Sequence, residues 1–478
     1  MRSSVAISPA NVETSRFAPW LLAALWLAMP NALFWWAAWY FGYQRPWFNL
    51  DYFAALFLWS FGWRYFGWIC AFTALTVDVL AGFSQVYVIF DIRQLLQLPK
   101  FTLEAPVTIL LLMVLIFFIF SSKFYFICKK IKSVNRKILI SMVAPIVVLN
   151  IPATIRSIEK PQDNLHLDRR IVIMGSQLDT LAKIFYRSNL GFEISQSNGA
   201  AFREWKYPTA ANLAWGERSK EQLPKRMLLV VVESFGVPVA AEHLAAQLES
   251  IHENPWIRTV NQGAIYFSGG TISGELRELC ALLPLGIDFG AVQRTMPCWP
   301  EFVKNQGYQA VSISSASGTM YRHNEWAKEI GFDREYYRNN IGVKARNCYS
   351  FPSLCDVDLT PLVKDQLLAS PKTFVYWLTS NSHLPYDVRD LRRDHSEECK
   401  QLGFAEDSAR CIHHGLVKEF IDALTIMLAK PEMEGVEVVI TGDHAPPFFR
   451  QEDRQAFSAE KVPFLHLRVE SPAGVQSH

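Results

Sequence analysis

Three long stretches in the first third of the chain contain no charged side chain. They cover residues 17–43, 105–122 and 138–155, and each is long enough, or nearly so, to cross a hydrocarbon core of roughly 30 Å. We interpret all three as transmembrane helices. A cleaved signal peptide is not favoured for the first stretch, because it ends in aromatic residues typical of a membrane interface, including Trp36 and Trp39.

A further apolar and aromatic block, residues 52–90, lies between the first two stretches. Arg64 interrupts this block and divides it into two spans, which brings the predicted total to five. Asp78 also lies inside the block, where an ionisable side chain is costly without a partner. We therefore expect Asp78 to pair with Arg64 or to contact a lipid headgroup.

Basic residues predict the orientation of these spans. Arg2, Arg16, Arg64 and the basic segment 123–137 all lie on one side of a five-span topology. Positive charge marks the cytoplasmic side, so five crossings from a cytoplasmic N-terminus place residues 156–478 on the outer face.

Cysteine usage agrees with export of the C-terminal part. Six of the eight cysteines fall there, and this even number suits disulfide formation in an oxidising compartment. Buried free thiols are the less favoured alternative for an exported domain. We predict three disulfides, and nearest-neighbour pairing is the simplest of the connectivities that six cysteines permit. The pairs would be Cys280 with Cys298, Cys348 with Cys355, and Cys399 with Cys411.

The overall charge excludes one class of partner. With 47 basic and 45 acidic residues, the formal net charge is +2. No global basic field points to nucleic acid, and no basic stretch interleaved with aromatic residues occurs outside the membrane loops. Nucleic-acid binding is therefore not predicted.

The chain accordingly divides into a transmembrane domain (1–155), a juxtamembrane connector (156–225) and a catalytic domain (226–478). The third part contains short, fully apolar runs of the kind found in strands buried on both faces. Helix-like segments such as Leu416–Ala429 separate these runs, and this alternation predicts an exported α/β domain with a mostly parallel sheet. The runs are Met227–Val232, Ala310–Ile313, Thr373–Leu378 and Val436–Ile440.

Polar residues follow these predicted strands where each one ends. Glu233 follows the first run, His383 stands shortly after the third, and Asp443 and His444 follow the fourth. Ligand sites in such sheets lie beyond the carboxyl ends of the strands, so we expect these side chains to meet at one edge. Glu233, Asp443 and His444 offer a mixed oxygen and nitrogen set that favours zinc or manganese.

Thr271 is the candidate nucleophile. Gly269 and Gly270 precede it, and the sequence that follows has the character of a helix, so Thr271 stands at a helix N-terminus. Free backbone N–H groups there favour an alkoxide or a bound phosphate, and coordination to a metal lowers the pKa of a bound hydroxyl. Ser273 is the alternative nucleophile.

Together, Glu233 after a strand, the Thr271 turn and the string Thr-Gly-Asp443-His444 resemble the alkaline phosphatase superfamily. The similarity is to its membrane-anchored phospho-alcohol transferases: lipoteichoic acid synthases, lipid A phosphoethanolamine transferases and phosphoglycerol transferases of periplasmic glucans. It covers most of residues 227–468. The resemblance implies that Thr271 forms a covalent phospho-enzyme and that Glu233, Thr271, Asp443 and His444 bind the metal.

Three further residues follow from the resemblance as substrate-binding candidates. His383, within Asn-Ser-His-Leu-Pro, matches a histidine that contacts the substrate phosphate in the family. Tyr321 and His323 stand where lipoteichoic acid synthases carry Trp and Arg. By contrast, we interpret His395, His413 and His414 as solvated or structural, with a second metal site as the lesser alternative.

The resemblance implies transfer of phosphoethanolamine or phosphoglycerol from a membrane phospholipid to an envelope glycan or glycolipid. It also implies a multi-pass protein of the bacterial inner membrane whose catalytic domain is in the periplasm. A sulfatase- or phosphodiesterase-type hydrolase is the alternative, although the Cys/Ser-x-Pro/Ala-x-Arg string of sulfatases is absent around Thr271. A non-catalytic membrane scaffold of the same fold would have lost the metal ligands, which are all present here.

Overall fold

The computed structural model describes most of the predicted exported part and a portion of the predicted membrane part. Two predicted spans lie outside the described residues: all of 138–155, and all of 105–122 except its last residue. The described residues form two compact units, which lie between 31 and 181 and between 202 and 472. They comprise 31–39, 43, 45–86, 122, 174–178, 180–181, 202–219, 221–284, 297–318, 320, 323–351 and 353–472.

The first unit is mostly helical. Its apolar block is divided at Arg64, as predicted, because one helix ends at Ser60 and the next begins at Arg64. Among the described residues, one helix is long and apolar enough to cross a membrane, over Arg64–Gly82. The elements are a helix at 31–39, β1 (Phe48–Asn49), α1 (Asp51–Ser60), α2 (Arg64–Val86) and β2 (Met174–Gly175), with β1 and β2 paired in parallel.

Asp78 pairs with Arg45 in this unit, so the expected pairing with Arg64 is wrong. The Arg45 Nη2 and Asp78 Oδ2 atoms are 2.6 Å apart, and both side chains are fully buried. Arg64 is exposed at the start of α2, about 20 Å along the helix from Asp78. Three other side chains donate hydrogen bonds to the Asp78 carboxylate: Asn49, Tyr52 and Gln177.

The second unit is built on a seven-stranded sheet with the order β5-β11-β10-β4-β9-β7-β8. Strands β10, β4, β9, β7 and β8 run parallel to one another, whereas β11 and β5 pair antiparallel at one edge. The predicted α/β domain with a mostly parallel sheet is confirmed. The strands of the seven-stranded sheet are β4 (Arg226–Val232), β5 (Ile257–Tyr266), β7 (Gln309–Ser314), β8 (Arg334–Tyr336), β9 (Thr373–Leu378), β10 (Val436–Gly442) and β11 (Lys461–Val469). A separate antiparallel pair contains β3 (Phe202–Glu204) and β6 (Leu282–Pro284).

Helices cover both faces of this sheet. Alternate residues of a strand point to opposite faces, so Leu229 of β4 joins one apolar core with Leu276, while Leu228 joins the other with Val417. The result is a three-layer α/β/α arrangement. The helices are α3 (Ala241–His252), α4 (Thr271–Cys280), α5 (Trp299–Lys304), α6 (His323–Trp326), α7 (Thr360–Leu368), α8 (Ser396–Gln401), α9 (Ala409–Leu428) and α10 (Gln451–Gln455).

All three predicted disulfides are present, with nearest-neighbour pairing. One of them ties Cys280, the last residue of α4, to Cys298 just before α5. Helix α4, which begins at Thr271, is therefore covalently anchored at its C-terminal end. The other pairs are Cys348–Cys355 and Cys399–Cys411.

Candidate active site

Two neighbouring parallel strands bring the predicted metal ligands together. Strands β4 and β10 pair so that Val232 lies opposite Gly442, and the residues that follow, Glu233 and Asp443, therefore emerge side by side. His444 comes next in the chain. One ligand atom from each of these three buried side chains lies within 4.8 Å of the others, as expected for residues at the carboxyl ends of adjacent strands.

Helix α4 adds the hydroxyl group. Thr271 is its first residue, and its Oγ1 donates a hydrogen bond to Glu233 Oε2 over 3.0 Å. The structure therefore joins Thr271, the preferred candidate nucleophile, to the predicted metal ligands.

A glycine lets α4 approach this closely. A Cβ placed on Gly274 would lie 2.6 Å from the Cβ of Asp443, which is shorter than real carbon atoms tolerate. Gly274 follows Thr271 at the i, i+3 spacing that places both on one helix face. That spacing is a signal from which the contact could have been predicted.

Arg277 holds α4 against the β10 turn and was missed from the sequence. Its guanidinium is buried and donates to the backbone carbonyls of Gly442 (2.7 Å) and Asp443 (3.0 Å). It also pairs with buried Glu278 over 2.7 Å. No motif pointed to Arg277, because an arginine on a helix is usually solvent-exposed.

Ser234 supports both carboxylates from an unusual backbone conformation. Its φ of 55° lies in the left-handed region that L-residues other than glycine rarely adopt. In that conformation its N–H donates to Asp443 Oδ1 (2.8 Å) and its hydroxyl donates to Glu233 Oε1 (2.8 Å). Backbone strain of this kind persists where surrounding contacts fix it, and functional sites are common places for it.

Burial and mutual contacts shift the pKa values of the three side chains of the cluster. Burial, reinforced by the charge of Glu233, raises the pKa of Asp443 well above its usual range. Burial opposes ionisation of Glu233 as well, but hydrogen bonding to His444 and the charges of His383 and His444 lower its pKa. Burial alone would lower the pKa of His444. The Asp443 and Glu233 carboxyl groups outweigh burial and raise this pKa to about 9. Two carboxyl groups thus contact one imidazole in a buried cluster.

The two oxygens of Asp443 differ in their contacts, and Oδ2 lies 3.4 Å from His444 Nε2. Oδ1 accepts the N–H groups of Ser234 and His444, whereas the buried Oδ2 atom has no hydrogen-bond partner. A buried anionic oxygen of this kind is costly unless it is hydrogen-bonded or coordinates a metal. The mixed donor set and the Oδ2 atom without a hydrogen bond fit a divalent cation.

Two of the predicted substrate-binding residues lie beside this cluster. His383 and His323 line a small pocket together with Thr271, Glu233 and Phe351. His383 is partly exposed, and its ring centroid is 4.5 Å from that of Phe351. His323 is buried at the start of α6. Tyr321 lies outside the described residues.

The remaining candidate histidines are structural rather than solvated, because all three are buried: His395, His413 and His414. His413 contacts the carbonyl oxygen of Ser234 over 3.0 Å, and burial lowers its pKa to about 3, so the neutral ring donates this hydrogen bond. Among the described residues, neither of the two groups with metal-ligand spacing contains any of these histidines.

Comparison with protein families gives one match. The sequence model of the family described as Sulfatase matches residues 225–467, slightly more than half of the chain. No curated protein sequence matches the chain.

Several solved structures are similar in part. The lipoteichoic acid synthase LtaP from Listeria monocytogenes shares 17% identity and a TM-score of 0.38, over 60% of this chain and 72% of that chain. The Streptococcus pyogenes phosphoglycerol transferase GacH shares 14% identity and a TM-score of 0.37, over 56% and 77%. The Neisseria meningitidis lipooligosaccharide phosphoethanolamine transferase EptA shares 10% identity and a TM-score of 0.37, over 70% and 62%. At these identities and TM-scores the neighbours do not define the substrate of this chain.

Proposed function

The chain belongs to the Sulfatase family, whose sequence model spans residues 225–467, and within that family we propose that it is a phosphotransferase. This membership bears out the resemblance to the alkaline phosphatase superfamily. The proposed reaction moves phosphoethanolamine or phosphoglycerol from a membrane phospholipid to a hydroxyl of an envelope glycan or glycolipid. A covalent phospho-threonine on Thr271 is the proposed intermediate.

One contact carries this proposal: the hydrogen bond from Thr271 Oγ1 to Glu233 Oε2. A nucleophilic hydroxyl needs a nearby group that can take its proton, and Glu233 occupies that position. Thr271 also stands at the N-terminus of α4, a 10-residue helix, where backbone N–H groups and the helix dipole favour a bound phosphate. The proposed nucleophile, Thr271, therefore has both a proton acceptor and an anion-binding helix N-terminus beside it.

The proposed metal ligands are Glu233, Thr271, Asp443 and His444. The mixed oxygen and nitrogen set favours zinc or manganese. Such an ion would lower the pKa of the Thr271 hydroxyl and neutralise charge on the transferring phosphoryl group. Ser234 orients two of these ligands through its hydrogen bonds to Glu233 and Asp443.

The reaction balances in two steps. In the first, Thr271 Oγ forms a bond to the lipid phosphorus, the bond from phosphorus to the glyceride oxygen breaks, and a general acid in the pocket protonates that oxygen, so that diacylglycerol leaves. The Thr271 proton passes to Glu233. In the second, the conjugate base of that acid takes the proton of an acceptor hydroxyl as that oxygen attacks phosphorus, and Thr271 Oγ leaves and regains a proton from Glu233.

His383 is the proposed phosphate contact in this pocket. It follows β9 at the same sheet edge as Glu233, and its charge acts on the Glu233 carboxylate. A donor close to the phosphoryl oxygens stabilises negative charge that develops in the transition state. Tyr321 and His323 complete the proposed substrate-binding set.

We further propose that the protein is a multi-pass protein of the bacterial inner membrane with its catalytic domain in the periplasm. The proposed division is a transmembrane domain of about five helices (1–155), a connector (156–225) and the catalytic domain (226–478). Three disulfides in the catalytic unit support an oxidising compartment. A membrane anchor would keep the site at the bilayer surface, where the lipid donor resides.

Intact-mass spectrometry tests this function. Purified full-length protein is exposed to vesicles of phosphatidylethanolamine or phosphatidylglycerol, with Thr271→Ala alongside the wild type. We expect an adduct on the wild type only, with the added mass of phosphoethanolamine or phosphoglycerol, which identifies the donor. Ser273→Ala is the matched control for a hydroxyl in the same helical turn and should still form the adduct.

Two outcomes would contradict the proposal. Release of the free phospho-alcohol into water at the same rate with and without a glycan acceptor would indicate a hydrolase. An absence of adduct in every variant, with Glu233→Gln leaving the content of bound metal unchanged, would indicate a non-catalytic scaffold.

A further inference from the structure

His323 lies in the pocket beside Thr271, and it contacts a buried network that the proposed metal ligands do not share. His323 Nε2 lies 2.6 Å from Glu275 Oε2, and both side chains are almost completely buried. The other carboxylate oxygen, Glu275 Oε1, accepts a hydrogen bond from the Tyr376 hydroxyl over 2.8 Å. The Glu275 carboxylate is thus held on one side by a strand residue and contacts an imidazole on the other.

This network is tied directly to the nucleophile helix. Glu275 lies four residues after Thr271 in α4, so the two side chains occupy the same helix face one turn apart. His323 and Thr271 line the same pocket. The helix that presents the nucleophile therefore also supplies the carboxylate that contacts the second histidine.

The ring of His323 is fixed by aromatic neighbours as well. Tyr337 lies nearly parallel to it, with ring planes at 7° and centroids 6.0 Å apart, and Trp326 packs edge-on at 5.1 Å. A histidine whose one nitrogen contacts a buried carboxylate has a defined ring orientation, and this is how enzymes position acid–base histidines. Nε2 faces Glu275, and the ring that carries the buried Nδ1 lines the pocket.

We propose that His323 is the general acid and base of the transfer reaction, and that Glu275 is its positioning residue. This inference rests on the proposed function. In the first step, Nδ1–H of the imidazolium gives its proton to the glyceride oxygen as the bond from phosphorus to that oxygen breaks. In the second, neutral Nδ1 takes the proton of the acceptor hydroxyl as that oxygen bonds to phosphorus and Thr271 Oγ leaves.

The chemistry calls for such a group. Diacylglycerol leaves as a strongly basic alkoxide unless it is protonated during bond breaking, and a positioned acid contributes about 10²–10⁴-fold to such a step. Glu233 is already assigned to the Thr271 proton, so a separate group for the leaving oxygen keeps the two proton transfers apart.

Dependence on the leaving group distinguishes acid catalysis from phosphate binding. The full-length protein and its His323→Gln variant are compared on two donors with the same phospho-alcohol. One is the phospholipid identified by the mass experiment, and the other is the matching 4-nitrophenyl phosphodiester, whose leaving group needs no proton. Formation of the Thr271 adduct is followed in a single turnover.

We expect His323→Gln to slow adduct formation from the phospholipid about 100-fold or more, and from the nitrophenyl donor less than about tenfold. Glu275→Gln should show the same selectivity with a smaller loss, because it leaves the histidine in place without its carboxylate. His466→Gln is the matched control: His466 is another buried histidine paired with a buried carboxylate, Glu437. It should slow both donors equally, if at all.

Equal losses on both donors in His323→Gln, with the thermal unfolding midpoint unchanged, would overturn the acid–base role and leave the proposed function intact. Equal losses in Glu275→Gln would remove the positioning role. If the wild type forms no Thr271 adduct from either donor, the proposed function fails and this inference fails with it.

Discussion

Gly274 of α4 lies directly against Asp443, so closely that a Cβ at position 274 would be 2.6 Å from the Asp443 Cβ and 2.7 Å from its Cα. The position of Thr271, the proposed nucleophile, therefore depends on the absence of one methyl group three residues further along its helix. Because the clash is partly with backbone, it cannot be relieved by rotation of a side chain.

We predict that Gly274→Ala displaces α4 from the β10 turn. The unfolding free energy should fall by about 1–3 kcal/mol through overpacking, although alanine is intrinsically the better helix former by about 1 kcal/mol. Adduct formation on Thr271 should slow more than this loss of stability explains, because Thr271 moves away from Glu233. Thermal unfolding and single-turnover mass spectrometry measure the two effects.

The control for this substitution is Gly263→Ala, since a Cβ there meets nothing within 4 Å. It should leave both the unfolding midpoint and the adduct rate near wild-type values. If Gly274→Ala behaves like Gly263→Ala, then α4 does not need its close approach to Asp443.

Metal affinity is the second prediction. Ser234→Ala removes the hydroxyl that donates to Glu233 Oε1, but it keeps the backbone N–H that donates to Asp443. Loss of such a supporting hydrogen bond costs about 10–100-fold in metal affinity. Titration of the metal-stripped protein with Zn²⁺ or Mn²⁺ should show this decrease, and Glu233→Gln should show a larger one.

Ser250→Ala provides the comparison, because the Ser250 hydroxyl contacts only Thr425 among the hydrogen bonds of the described residues. Its metal affinity should match that of the wild type. Unchanged affinity in both Ser234→Ala and Glu233→Gln would show that these residues do not hold the ion.

The candidate site residues that could be predicted from the sequence lie at the ends of strands or at the start of a helix. Glu233, Asp443 and His444 were predictable because each follows an apolar run, and residues at the ends of adjacent parallel strands meet at one edge. Thr271 was predictable because two glycines and a helical pattern mark a helix start. These inferences need only local pattern and sheet topology.

Contacts that depend on how elements rotate against one another were not predictable in the same way. Arg277 and the contact between Glu275 and His323 depend on which face of α4 meets the sheet and α6, and no local pattern specifies this. The partner of Asp78 was predicted wrongly for a related reason. Arg64 is nearer in the sequence, but Arg45 is brought to Asp78 by the turn that precedes α1.

Acid stability is the third prediction, and it concerns Glu437 at the start of β10. Burial alone would raise its pKa, but hydrogen bonds from His466, Arg218 and Arg468 outweigh burial and lower it from 4.5 to about 2. A carboxylate with a depressed pKa stabilises the folded state above its unfolded pKa. That stabilisation is lost as the pH falls from about 4.5 to about 2.

We therefore expect the unfolding free energy of the wild type to fall more steeply over this pH range than that of Glu437→Gln. Glu434→Gln, which removes an exposed carboxylate close by in the chain, should keep the wild-type slope. Denaturant unfolding at a series of pH values measures the slopes. Equal slopes for wild type and Glu437→Gln would show that the ion cluster does not stabilise the fold through this carboxylate.

The last prediction concerns the ion pair between Arg45 and Asp78 in the helical unit. Both side chains are fully buried, so removing one charge leaves the other uncompensated, at a cost of about 3–5 kcal/mol. We expect Arg45→Gln to lower the unfolding midpoint of the full-length protein in detergent substantially. The double variant Arg45→Gln/Asp78→Asn should recover part of the loss, because it no longer buries an unpaired charge.

Arg64→Gln changes an exposed arginine of the same unit and should stay within about 0.5 kcal/mol of the wild type. If Arg64→Gln lowers the stability more than Arg45→Gln does, then Arg64 and not Arg45 is the partner of Asp78.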